Sequence, residues 1–373
     1  MTTPDSLPDN LLPLQHLLKI CHGIQRLIAT PSFSGAESKT ANFLHDRLRI
    51  HGLEATRIGN NVVAKSPNYD PQRPTLLLCT HHDTVKPVAA YTRDPFKPTF
   101  ETDADGRTRL YGLGSNDAGA SIACMMDVMY HFYERTQEGA ALPFNILLVL
   151  AAEEEISGAN GIACVLPQYP EISAAIVGEP TQMHAAVGER GLLVLDGVTE
   201  GVSGHTARQD GVNALYKAID DINALRHFTF SKESSILGPI SIQVTQIQAG
   251  TQHNVIPDRC QYVVDVRTTD AYTNEEIVEA LRQQVQGTLT PRNMQNKASV
   301  TPSNHPLIGA LTALRIPPFI SPTTSDWMRL SVPAIKMGPG DSHRSHTADE
   351  FIYLDELESG IKQYIQFIAT LKL

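Results

Sequence analysis

The sequence predicts an α/β protein interrupted by a smaller α+β module. Four short apolar runs, residues 75–80, 145–152, 174–178 and 333–337, read as strands. They are nearly continuous in apolar residues, as strands covered on both faces are. Between the third and fourth, residues 192–300 supply strand, helix, two strands, helix and a short strand, the βαββαβ order of a ferredoxin-like fold. The simplest architecture is a discontinuous α/β domain, 1–189 and 298–373, with an insertion at 190–297.

In chain order, residues 11–29 place apolar side chains at helical spacing until Pro31 stops the run. A second amphipathic helix spans 36–51 and closes at Gly52. After the strand 75–80 come a helix over 120–135, the strand 145–152, a helical segment over 158–166 and the strand 174–178. The insertion opens with a strand at 192–200 and a helix at 212–227. Strands at 240–248 and 261–267 and a helix at 274–287 follow. Its last strand is expected at 298–300, with 288–298 (TLTPRNMQNKA) as a hinge.

Composition narrows the function classes. Among 373 residues, 40 acids against 30 bases give a net charge of −10. Without a Lys/Arg run, this lacks the electrostatic footprint of a nucleic-acid binder. The longest apolar stretches, such as 146–152, fall far short of the roughly 20 residues that span a bilayer. The first ten residues (MTTPDSLPDN) carry acids where a signal peptide carries bases. The five cysteines form no CxxC pair, as expected for reduced thiols in a cytoplasmic protein without a membrane partner.

Each apolar run leads into residues able to bind metal. Residues 75–80 lead to His81-His82-Asp83, 145–152 to Glu153-Glu154-Glu155, and 174–178 to Glu179. Residues 333–337 lead through Gly338-Pro339-Gly340 to His343 and His346. A fifth element, Gly112-Leu-Gly-Ser-Asn-Asp117, sets an acid in a glycine-rich turn before a helix. Taken singly, each has an ordinary explanation: the glutamates as acids at a helix N-terminus, Asp117 as an N-cap. Ligands of α/β sheets gather at the carboxyl ends of strands, where four of the five occur. Two histidines with three or four carboxylates and no cysteine suit zinc or a similar divalent ion. Five ligands exceed the need of one open tetrahedral ion, so two ions sharing a carboxylate is the economical arrangement.

With these motifs goes an ordered set: Pro31-Ser-Phe-Ser-Gly35, Asp94-Pro-Phe96, Gly178-Glu-Pro-Thr181, Gly204-His205, Asn254-Val-Ile-Pro-Asp258, Asp265-Val-Arg267, Thr324-Ser-Asp326 and His346-Thr-Ala-Asp-Glu-Phe351. The whole chain resembles the M20 family of metallopeptidases and amidohydrolases, and residues 112–121 most resemble its acetylornithine deacetylase-like branch. The resemblance implies a zinc-peptidase-like catalytic domain with a lid/dimerisation insertion, and a homodimer. It implies two divalent ions, zinc with cobalt or manganese as substitutes. Asp117 would bridge them, with His81 and Glu179 completing one site and Glu155 and His346 the other. Glu154 would be the general base, and Asp83 would orient His81. The peptide bond after Asp117 would be cis. His205 would stabilise the oxyanion from a partner subunit, while Asn254 and Arg267 would hold the substrate's carboxylate. The implied reaction is hydrolysis of an N-acyl amino acid, N-acetyl-L-ornithine first, in arginine biosynthesis. A desuccinylase of succinyl-ornithine, succinyl-citrulline or succinyl-diaminopimelate, and a dipeptidase, are the alternatives. Departures from the family pattern, Asp117-Ala-Gly-Ala for Asp-x-Lys-Gly and Lys86 where proline is usual, bear on the group recognised rather than on the ligands.

Other enzyme classes fit worse. Gly112-x-Gly114 lacks the third glycine of a dinucleotide fingerprint, and Asp117 would repel a pyrophosphate. Gly201-Val-Ser-Gly-His does not match a nucleophile elbow. A scaffold that had lost its metals would be expected to lack ligands or base, and none is missing.

Overall fold

The computed structural model describes residues 14–208 and 210–373. The chain divides into two compact units. The first holds the described residues through Ala186, Pro302–Phe319 and Leu330–Leu373, and the second Val187–Thr301 and Ile320–Arg329.

The first unit is built on a mixed sheet in the order Glu54–Ile58, Asn61–Lys65, Asn145–Ala151, Thr75–His81, Ile172–Val177, Ala334–Lys336, Ala185–Glu189, the last strand running on into the second unit. The middle four strands are parallel to one another, so their carboxyl ends lie on one edge. Every residue of Thr75–His81, Asn145–Ala151 and Ala334–Lys336 is buried, which is why these strands read as unbroken apolar runs. Helices Leu14–Ile28, Ser38–Ile50, Ala120–Gln137 and Leu354–Thr370 belong to this unit, and the last two pack on each other. The expected helix 11–29 is seen from Leu14, and residues 11–13 lie outside the described residues, as do the first ten, read as lacking a signal peptide. A small antiparallel sheet joins Thr99–Thr102, Thr108–Tyr111 and Phe351–Tyr353.

One helix expected from sequence is absent. Residues 158–166 form no α-helix; short 3₁₀ turns occupy Ile162–Cys164 and Leu166–Gln168. Gly158 and Gly161 weaken a helix there, and Pro167 withholds its backbone donor.

In the second unit a four-stranded antiparallel sheet runs in the order Ser241–Ala249, Arg259–Thr268, Gly191–Glu200, Thr288–Pro291. Helices Ala214–His227 and Asn274–Arg282 complete the βαββαβ order. Leu193, Leu195, Tyr262, Val264, Val266, Ile277 and Leu281 form its core. The fourth strand is not the expected 298–300. It is Thr288–Pro291, inside the stretch expected to be a hinge. Ser299–Val300 pairs instead with Gly188 and Glu189. Residues 320–329 also join this unit rather than the first. Ser325 there donates its hydroxyl to Glu189 at 2.8 Å. No described helix is long and apolar enough to cross a membrane.

Candidate metal centre

His81 is the last residue of its strand. Its Nδ1 lies 3.0 Å from the Asp83 carbonyl oxygen, so that nitrogen donates and, once the ring is neutral, Nε2 carries the lone pair. Nε2 faces Asp117 Oδ1 at 3.1 Å and Glu179 Oε1 at 3.8 Å. Asp117 stands in the turn Ser115–Gly119, entered through Gly114 at φ +75°, a conformation that favours glycine. The Asp117–Ala118 peptide is cis. While Oδ1 of Asp117 faces His81, Oδ2 lies 3.8 Å from His346 Nε2. His346 Nε2 in turn sits 3.1 and 3.0 Å from the two oxygens of Glu155.

These separations fit a shared cation. With metal–ligand bonds of about 2.0–2.1 Å, neighbouring ligands on a tetrahedral ion lie about 3.3 Å apart. The observed 3.0–3.8 Å span brackets that value. Ligand atoms of His81, Glu154 and Glu179, and again of His81, Asp117 and Glu155, come within 4.8 Å of one another. The set is made of lone-pair donors, which a proton or a cation must reconcile.

Electrostatics point the same way. Burial and the neighbouring Asp117 push Glu179 up to about 8. Hydrogen bonding to Glu155 pushes His346 up to about 9. Burial alone would lower His81, but Asp117 and Asp83 carry it well above its ordinary value. Without a cation, the cluster meets its surplus of negative charge by taking up protons.

The three adjacent glutamates diverge. Glu153, at φ +54°, turns its carboxylate to the backbone and side-chain nitrogens of Asn160, at 3.0 and 2.9 Å. The backbone N–H groups of Glu154 and Glu155 donate to the two oxygens of Asp83 at 3.0 and 3.1 Å. Ser34 Oγ donates to the same carboxylate at 2.7 Å. Asp83 thus ties the glutamate turn to His81, while the Glu153 carboxylate is engaged by Asn160. His82 is spent on Thr40 and on the Asn60 carbonyl, while His343 is exposed and paired with Asp341. Lys86 is exposed.

The sequence did not assign two side chains behind the cluster. Glu350, buried, accepts N–H bonds from Gly114, Asn116 and Asp117 at 3.0, 2.9 and 2.9 Å. Burial and the nearby Asp117 push it up to about 8, although those three donors work in the opposite direction. Asn116 accepts from Asp341 N and donates to Asp341 O and Ser345 Oγ. An acid opening an apolar strand (Glu350-Phe-Ile-Tyr) was the available signal for Glu350.

His205, Asn254 and Arg267 lie in the second unit. The pairing of Gly204–His205 with Val255–Ile256 sets Asn254 beside His205, and Thr206 N donates to the Asn254 carbonyl at 3.2 Å. A side chain at Gly204 would meet Asp210 Oδ1 at 2.6 Å, which accounts for glycine there. Ala207 N–H donates to His205 Nδ1 at 3.2 Å, which places a ring proton on Nε2. The Arg267 guanidinium is already clasped by Asp265, Nε at 2.9 Å and Nη2 at 3.1 Å. That leaves its terminal Nη1/Nη2 fork for a ligand.

Residues 187–292 match the model of the M20 peptidase dimerisation domain. The chain is 26% identical over 374 residues to an acetylornithine deacetylase of Proteus mirabilis, covering 90% of this chain and 92% of that protein. It is also 26% identical over 305 residues to a succinyl-diaminopimelate desuccinylase of Delftia acidovorans, covering 76% of each. Among solved structures, it resembles a tripeptidase from Staphylococcus aureus, with a TM-score of 0.74 and 19% identity over 96% of this chain and 98% of that one. A dinuclear metal-binding M20 peptidase from Bacillus subtilis gives a TM-score of 0.71 and 18% identity, over 96% and 98%. The resemblance seen in the sequence is borne out: the chain carries a match to the M20 peptidase dimerisation domain, is similar along most of its length to metal-dependent amidohydrolases of that family, and shares the α/β fold of their solved structures.

Proposed function

We propose that this M20 amidohydrolase cleaves the amide bond between an acyl group and the α-amine of an amino acid, with N-acetyl-L-ornithine as its first candidate substrate. The observation that carries the reading is Asp117, whose two oxygens face two different histidines, His81 at 3.1 Å and His346 at 3.8 Å. In this reading His81, Glu179 and Asp117 would hold one divalent ion, and Asp117, Glu155 and His346 another. Bound there, the ions would polarise the scissile carbonyl and make a water more acidic. Glu154 takes the proton from the attacking water and delivers it to the leaving amine. Asp83 keeps His81 in the tautomer that offers Nε2. His205 donates its Nε2–H to the developing oxyanion in the partner subunit's site, and Arg267 with Asn254 receives the α-carboxylate.

The acetylornithine assignment is supported by the deacetylase relative aligned over most of both chains and by residues 112–121. We place the reaction in cytoplasmic arginine biosynthesis and the enzyme in a homodimer, the dimerisation-domain match supporting the latter. Desuccinylation is the second reading, favoured by the desuccinylase relative and by Lys86, an exposed cation three residues past Asp83 that suits an acidic acyl tail. The deciding experiment is a substrate panel: N-acetylornithine, N-acetylcitrulline, their succinyl analogues, succinyl-diaminopimelate and dipeptides. N-acetylornithine should give the highest kcat/KM, and equal turnover of an amide without an α-carboxylate would overturn the assignment.

A further inference from the structure

We infer that Glu350 is a positioning residue that sets the bridging carboxylate Asp117 and the His346 segment as one piece, and so governs occupancy of the ion between Asp117, Glu155 and His346. The inference rests on the two-ion reading above. Asp117 lies in a turn whose backbone donors would otherwise be buried without partners. Three of them, from Gly114, Asn116 and Asp117 itself, converge on the single buried carboxylate of Glu350. Buried donors must be satisfied, so the turn follows wherever this side chain is held.

Glu350 is held by the other ligand's own segment. It lies four residues after His346, and its carbonyl accepts the Gly112 N–H at 3.0 Å. A second clasp joins the same two segments: Asn116 bonds both backbone groups of Asp341 and the hydroxyl of Ser345, the residue before His346. Gly340 makes room for it, since a Cβ there would come within 2.3 Å of Asn116 Oδ1. His81 ends one other strand and Glu179 follows another, and neither is hydrogen-bonded to the Glu350 carboxylate. Loss of the carboxylate should therefore weaken one ion more than the other.

Glutamine is the informative replacement. Oε1 of Glu350 accepts from both Asn116 and Asp117, and Oε2 from Gly114. In Glu350→Gln the amide oxygen can keep the first pair, but the NH₂ then opposes the Gly114 N–H. Glu350→Ala loses all three bonds.

The experiment titrates cobalt(II) into metal-free wild type, Glu350→Gln and Glu350→Ala, followed by visible absorption and by bound-metal stoichiometry, with thermal melts of the metal-free proteins alongside. Supporting groups behind metal ligands typically change affinity by about 10–100-fold. The expected result is two equivalents for wild type, a first equivalent little altered in the variants, and a second weakened by about tenfold in Glu350→Gln and more in Glu350→Ala, with altered cobalt bands. If Glu350→Ala does not fold, Glu350→Gln alone decides. Two equivalents bound by wild type and Glu350→Gln with equal affinities and spectra would overturn the inference, even with a lowered melting temperature, because that pattern belongs to a purely structural residue. Fewer than two equivalents in wild type would remove the two-ion reading, and the inference with it.

Discussion

Replacing each glutamate of the 153–155 run by alanine should give three different failures. Among the described residues the Glu153 side chain makes two hydrogen bonds, both to Asn160, and it is only half-buried. At about 0.5–1.5 kcal/mol each, their loss costs about 1–3 kcal/mol of stability and lowers Tm by several degrees. Metal content and kcat should stay near wild type. Glu154 reaches the cluster with His81 and Glu179, and Glu154→Ala should keep both ions while kcat falls by about 10²–10⁴, or about 2.7–5.5 kcal/mol of transition-state stabilisation. Glu155 meets His346 at 3.0–3.1 Å, so Glu155→Ala should lose about one equivalent of metal. Steady-state kinetics, elemental analysis and thermal melts on the three purified variants give the comparison. If Glu153→Ala were as inactive as Glu154→Ala while retaining its metal, the base would be misassigned by one residue.

Other expectations follow from the same geometry. His205→Ala should retain both ions and its fold but lose about 10²–10³ in kcat, the usual value of a positioned oxyanion donor. If that donor acts on the partner's site, subunit exchange between His205→Ala and Glu154→Ala should restore activity; exchange without recovery would count against action in trans. Arg267→Lys removes one of two charged donors, each worth about 1.5–3 kcal/mol, and should raise KM by about 10–100-fold. Asp265→Asn, which loosens the clasp on Arg267, should raise KM less, and an unchanged KM in both would detach Arg267 from the substrate. Metal uptake should depend on pH in one direction. In the metal-free protein Glu179 lies up at about 8 and His346 at about 9, so both are protonated at neutral pH and must release protons to bind. Apparent affinity should therefore tighten as pH rises through 8 to 9, with proton release measurable by calorimetry in buffers of different ionisation enthalpy; uptake without proton release would refute this.

What was legible in the sequence follows from burial. The parallel strands stood out because both their faces are covered, and the ligands could be found because α/β sheets collect them at strand ends. Thr288–Pro291 was missed because a short edge strand with alternating polar residues and a terminal proline carries little apolar signal. The 158–166 segment misled in the opposite way, its apolar residues suggesting a helix that two glycines prevent. The pool of candidate ligands was readable by residue type at the strand ends, the choice of His81, Asp117, Glu155, Glu179 and His346 from it came from the family resemblance, and the structure brings the ligand atoms of these five together. Glu350 was not, because an acid that satisfies backbone amides follows neither a helical nor a ligand spacing. The clasp of Asp265 on Arg267 was within reach, since residues two apart on a strand share a face.

The central claim is that Asp117 joins two ions. Its most direct test is anomalous-difference crystallography of the zinc-loaded protein at the zinc absorption edge. Two peaks are predicted, one bound by His81, Glu179 and one oxygen of Asp117, the other by Glu155, His346 and the second oxygen of Asp117. A single peak at full zinc loading, or two peaks with Asp117 bound to neither, would contradict it.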